Sequence, residues 1–193
     1  FEENLRLQPL SNHDLEMYIQ KGSDILTQFL SSKLDSFSPS QKTELNFAGQ
    51  GVRLGDARLT GSLDLVDFGE SSVVVTDYKT SKAVRSWVGK TDYEKIKLHK
   101  YKQQLMFYQL LIANSRDYSR YSVEKGVLQF VEPTKTGEIV ALEATFNSDD
   151  LYRFARLVQA AWQRIVALDL PDVSDYEPTH KGILAFEAAL LDE

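Results

Sequence analysis

Asp77 and Lys79 stand one residue apart in the run Val73-Val74-Val75-Thr76-Asp77-Tyr78-Lys79-Thr80. Consecutive β-branched residues predict a buried central strand over residues 72–80. Side chains alternate across a strand, so Asp77 and Lys79 leave by one face and Tyr78 by the other. An acid and a base at the end of an apolar strand are costly to bury unpaired. A salt bridge at a strand end would satisfy both without doing chemistry. Asp-x-Lys alone arises by chance about once in a few hundred residues, so its weight comes from its neighbours. Asp64, in Gly61-Ser62-Leu63-Asp64, lies on the preceding strand candidate. The short link Gly69-Glu70-Ser71 predicts a hairpin that lets Asp64 and Asp77 converge. Two adjacent carboxylates repel, and a divalent cation between them removes that penalty. A nearby lysine then positions an attacking water and offsets developing negative charge. That chemistry suits phosphodiester hydrolysis. The Tyr78 carbonyl offers a further hard oxygen ligand. Gln104 and Tyr108 sit at i and i+4 on a predicted helix, with polar tips on one face suited to a phosphate or to ordering the lysine. By themselves they read as a surface glutamine and a core tyrosine.

The elements that must position these residues follow from periodicity. Ser11 predicts the cap of a helix running to about residue 30, with Leu15, Tyr18, Ile19, Ile25, Leu26 and Phe29 on its apolar face. Strands are predicted at 43–48 and 57–68, the latter alternating through Leu59, Gly61, Leu63 and Leu65. A helix over residues 95–114 carries Leu98, Tyr101, Leu105, Tyr108 and Ile112 on one stripe. Two more strands are expected at 123–131 and 138–146. A helix opening at Ser148 follows, its apolar face running through Leu151, Phe154, Ala155, Val158, Trp162 and Ile165. A short helix over 182–191 closes the chain. The fold class is α/β: a mixed central sheet flanked by helices.

The 193 residues are 42% hydrophobic, enough for one core, and no linker divides them, so residues 1–193 read as a single domain. No run is apolar enough to cross a membrane. The chain starts at Phe1 with neither a signal-peptide pattern nor an initiator Met, the latter predicting a fragment of a longer protein. There are no cysteines, which excludes disulfides, thiolate metal sites and cysteine nucleophiles and fits a cytoplasmic location. Oxygen ligands favour a hard ion, Mg²⁺ or Mn²⁺. A net charge of −6 argues against a nucleic-acid partner, but the charge is unevenly spread. Residues 79–102 hold eight Lys/Arg against Asp92 and Glu94, a net +6 that leaves −12 elsewhere. Lys82, Arg85, Lys90, Lys97 and Lys100 thus stand beside the predicted catalytic strand as candidate contacts to a DNA backbone, where a solvated basic loop is the plain alternative. Trp87 and Tyr93 in this stretch suit base stacking or packing beneath a loop equally well.

Gly-x-x-Asp, then Val-Val-x-Asp-Tyr-Lys-Thr, then Gln-x-x-x-Tyr on a helix resembles the PD-(D/E)XK nuclease superfamily, and within it the RecB-like nuclease domain. The resemblance covers residues 44–108 with specific motifs. It implies a restriction-endonuclease-like core. It also implies a DNase, with exonuclease action expected, that forms the C-terminal module of a UvrD/PcrA-type or AddAB-type helicase–nuclease. Asp64, Asp77 and the Tyr78 carbonyl would be metal ligands, Lys79 the catalytic lysine, and Gln104 and Tyr108 the motif residues on the helix. DNA and the helicase domains would be the partners. One part of the pattern departs: the metal-binding His of an early helix, in a Gly-x-x-x-His-like setting, is not here. His13 reads as part of a cap, His99 and His180 have weaker claims, and Glu44 reads as a solvated strand carboxylate with an outer-sphere role as the alternative. The expectation is that the histidine precedes Phe1. The departure leaves a second reading open, an inactive nuclease-fold module that binds DNA or docks a partner.

Overall fold

A computed structural model describes residues 1–192. Its core is a five-stranded sheet in the order β1-β4-β5-β6-β7, made of β1 (Gln41–Asn46), β4 (Ser62–Phe68), β5 (Ser72–Lys79), β6 (Ser122–Phe130) and β7 (Ala141–Ala144). All pairings are antiparallel except β5 with β6, which is parallel. A parallel pair needs a crossover, and α3 (Asp92–Ala113) supplies it. The fold class read from the sequence is the one observed.

Two glycines set how closely α3 lies on the sheet. A Cβ at Gly126 of β6 would stand 3.0 Å from Leu105 Cδ2 and 3.2 Å from Leu105 Cβ; one at Gly61, just before β4, would stand 3.0 Å from Leu111 Cδ1. Leu105 and Leu111 are fully buried there, in one cluster with Val66, Val73, Val75 and Leu128. The helix is thus seated on either side of β5. It begins at a capping box, with the Thr91 hydroxyl accepting from the Glu94 amide and the Glu94 carboxylate accepting from the Thr91 amide.

On the opposite face, α2 (Asn12–Lys33) presents Phe29 edge-on to the Tyr78 ring, centroids 5.9 Å apart. Ser11 caps α2 as its sequence predicts, accepting from the Asp14 amide. A short α1 (Glu2–Arg6) precedes it. Beyond α3 lie α4 (Ser148–Ala167) and α5 (His180–Asp192).

Several elements differ from expectation. The strand expected over 57–68 is two. Ala57–Arg58 (β3) pairs with Arg53–Leu54 (β2) in a separate hairpin, and β4 starts at Ser62. Between them the chain changes partner: the Leu59 amide bonds back to Val52, while the Gly61 carbonyl accepts from Phe47. Alternation cannot reveal that switch, because it runs on through both pieces. The last strand is only Ala141–Ala144. Asn147, rather than Ser148, caps α4. Trp162, expected in the core, is half-buried, lining a cavity between α4 and the β2–β3 hairpin, and Ile165 is exposed. Among the described residues no helix is long and apolar enough to cross a membrane.

Candidate active site

The β4–β5 ladder pairs Leu65 with Thr76. One step further along the same register, Asp64 falls opposite Asp77, at the amino end of β4 and the carboxyl end of β5. Ligands of open α/β sheets favour such strand ends. Asp77 is 3% exposed and Asp64 half-buried. Lys79, two residues on, returns to the same face: its ammonium is 2.6 Å from Asp77 Oδ2. It also donates to Gln104 Oε1 at 2.7 Å. The Gln104 amide donates to the Tyr108 hydroxyl at 2.8 Å, and that hydroxyl donates to Asp77 Oδ1 at 2.8 Å. The ring closes: Asp77, Lys79, Gln104, Tyr108, Asp77. One strand step and one helical turn build it, held at contact distance by the Gly126 and Gly61 seats.

The electrostatics follow from burial. Burial first, then the Asp77 carboxylate, raises the Tyr108 hydroxyl well above the ordinary tyrosine range, with Gln104 pulling the other way. Tyr108 therefore keeps its proton and acts as a donor. The Asp64 carboxyl is also raised. Burial is the main cause, the Asp77 and Glu44 carboxylates add to it, and the Tyr78 amide and Lys79 oppose it. That amide donates to Asp64 Oδ2 at 2.8 Å. The N–H and C=O of one strand residue leave by the same edge, so the Tyr78 carbonyl emerges on the Asp64 side, where the ladder has ended.

Asp77 Oδ2 decides whether the donor set fits a cation. It is buried and accepts no hydrogen bond from any described residue. Lys79 faces it as a charge at 2.6 Å, off the angle of a hydrogen bond. This oxygen, a second carboxylate and a backbone carbonyl are oxygen donors of the kind a hard ion takes. Among the described residues, however, no three His, Cys, Asp or Glu side chains come together as a ready metal site. His13 is exposed in the first turn of α2. His99 bonds Glu187 of α5 at 2.7 Å and packs edge-on against His180. Glu44 lies across β1 from Asp64 in the register but is left out of the pairing, at a positive φ of 50°. That is a strained conformation for a side chain of its size, and no sequence signal marks it.

A model of the PD-(D/E)XK nuclease superfamily matches residues 5–177. The chain belongs to this superfamily. Among solved structures, the crystal structure of SSO0001 is similar at 17% identity over 90% of this chain and 70% of that one. The TM-score of that match is 0.38. No match was found among curated proteins. The superfamily makes nuclease chemistry the activity to explain, and its members typically use divalent metals.

Lys82, Arg85, Lys90 and Lys100 are exposed, with Arg85 ion-paired to Glu138 at 2.6 Å. Lys97 is half-buried. Trp87 is half-buried, donates to the Glu143 carbonyl at 2.6 Å and lies under the Lys102 ammonium, while Tyr93 is 77% exposed. Tyr101, expected only as part of an apolar stripe, lies with its ring 4.7 Å from the Lys79 ammonium. The signal for it was present: Tyr101, Gln104 and Tyr108 recur at helical spacing on one face.

Proposed function

We propose that this chain is a Mg²⁺- or Mn²⁺-dependent deoxyribonuclease, acting as the exonuclease module of a cytoplasmic DNA repair or recombination helicase. The observation that carries the metal-dependent reading is Asp77 Oδ2, a buried carboxylate oxygen that accepts no hydrogen bond from the described residues and has the Lys79 ammonium as its charged neighbour. Asp64, Asp77 and the Tyr78 carbonyl would hold the ion. When bound, such an ion supplies charge neutralisation for the two carboxylates and polarises the phosphoryl group. The Lys79 ammonium would donate to the attacking water and the phosphate oxygens, offsetting the charge that builds there. Gln104 holds Lys79 in reach through its carbonyl while its amide holds Tyr108. Tyr108 fixes the rotamer of Asp77 by donating to Oδ1, so Oδ2, beside the Lys79 ammonium, would be the oxygen left to hold an ion. Exonuclease action and the helicase setting draw their support from the RecB-like spacing of Gly61-x-x-Asp64, Asp77-Tyr78-Lys79-Thr80 and Gln104-x-x-x-Tyr108.

The test is cleavage of labelled single- and double-stranded DNA with Mg²⁺ or Mn²⁺. The expected result is cleavage that Asp77→Ala abolishes. No cleavage by the full-length protein, or equal cleavage by Asp77→Ala, overturns the reading. The lack of a third clustered acid or histidine favours a second reading, an inactive module that binds DNA or docks a partner. Calorimetric Mn²⁺ binding that vanishes in Asp64→Ala would count against it.

A further inference from the structure

Lys97 differs from the other lysines of its segment. It is half-buried where Lys82, Lys90, Lys95 and Lys100 are exposed. Its ammonium donates to the Ser81 hydroxyl at 3.2 Å and lies 5.6 Å from the Tyr101 ring centroid. The Ser81 hydroxyl is also 3.2 Å from the Tyr101 hydroxyl. Among the described residues no carboxylate lies within ion-pair distance of Lys97. A partly desolvated ammonium without a counter-ion is unfavourable, and a ring face and one hydroxyl compensate it only in part. The cluster is one anion short. It also adjoins the candidate active site. Ser81 follows Lys79 by two residues, and the Lys79 and Lys97 ammoniums rest on the same Tyr101 ring.

We infer that Ser81, Lys97 and Tyr101 form a subsite for a phosphate group of the substrate strand, next to the phosphate that is cleaved. An ammonium and two hydroxyls in a half-buried setting match the non-bridging oxygens of a phosphate, which accept strong charge-assisted hydrogen bonds. Tyr101 is the shared wall. Its ring backs both cations and its hydroxyl turns to Ser81, so the subsite and the catalytic lysine are held in fixed relation. The anion is either an internal phosphodiester or a terminal phosphate, and the two share this chemistry. The inference rests on the nuclease reading for the identity of the substrate.

The test is equilibrium binding of fluorescent single-stranded oligonucleotides in EDTA, read by anisotropy across a salt series. Lys97→Gln is expected to weaken binding several-fold and to make the slope of log K against log salt shallower by about 0.7, one phosphate contact. Ser81→Ala is expected to weaken binding with the slope unchanged, since it removes no charge. Oligonucleotides with a 5′-phosphate, a 3′-phosphate or neither separate the two sources. A loss confined to one phosphorylated end assigns the subsite to that terminal phosphate, and an equal loss on all three assigns it to an internal diester. If Lys97→Gln keeps the affinity and slope of the unaltered chain, or only lowers the unfolding temperature, Lys97 is a structural tether and the inference fails. The same holds if the unaltered chain binds no oligonucleotide. Because EDTA suspends cleavage, a chain that binds in this manner but never cleaves with Mg²⁺ or Mn²⁺ refutes the nuclease reading and leaves the subsite standing.

Discussion

Asp64 shows in one residue what the site costs the fold. Its carboxyl is raised mainly by burial and further by Asp77 and Glu44, against the Tyr78 amide and Lys79. The folded chain therefore holds the Asp64 proton more tightly than the unfolded chain does. The stability this gives is fully present below the unfolded carboxylate value and is lost as pH rises through the folded one. At neutral pH and without metal, ionised Asp64 is a net burden. Asp64→Asn keeps the acceptor for the Tyr78 amide and removes the charge. Thermal unfolding in EDTA should show the variant more stable than the unaltered chain at neutral pH, with the gap closing toward about pH 4. Added Mn²⁺ should reverse the order, because only the carboxylate draws stability from the ion. A gap that does not depend on pH would show that Asp64 is not raised.

The crossover helix is the element on which the site depends. Gln104 and Tyr108 reach Lys79 and Asp77 because α3 lies close to β6, and Gly126 permits that approach. Gly126→Ala places a methyl 3.0–3.2 Å from three Leu105 atoms, one of them the Cβ, which cannot rotate away. The helix must lift by a few tenths of an ångström. Overpacking of this kind costs about 1–3 kcal/mol, measurable by denaturant unfolding. Cleavage should fall by more than the change in folded fraction accounts for, since the lift stretches the hydrogen bonds between α3 and β5. Proportional losses would mean that α3 supports the fold alone. Much of this element was legible in the sequence. The Asp77 and Lys79 alternation, the Gln104 and Tyr108 spacing and the hairpin before them each follow from a period of 2 or 3.6. The closure of the four side chains into one ring was not, because periodicity gives a face and never a distance. Nor were the break at Leu59 and Gly61, where the chain changes sheets without interrupting its alternation, or the strain at Glu44, which depends on tertiary pairing. The family match ends at residue 177, before α5. That helix is nonetheless fastened to α3 by Glu187, which accepts from Gln103 and bonds His99, both at 2.7 Å.

For the molecule as a whole, charge is distributed against its sum. A chain at −6 should repel a polyanion, yet its segment 79–102 is +6 and runs from the end of β5 into α3. Beyond a Debye length of about 8 Å at physiological salt the acidic remainder is largely screened, so an approaching strand responds to the nearest charges. Lys82, Lys90 and Lys100 are exposed there, free to exchange counter-ions for phosphates. Replacing all three with Gln should make the log K against log salt slope for single-stranded DNA shallower by about 2, as three phosphate contacts require. It should weaken binding at low salt far more than at high salt, where the three lysines contribute little. The four ring side chains are untouched, so the expected loss of cleavage lies in KM, with kcat held. A fall in kcat at saturating DNA would instead mean that these lysines help to set the geometry at Asp77 and Lys79. An unchanged slope would mean that DNA reaches the site along another face of the sheet.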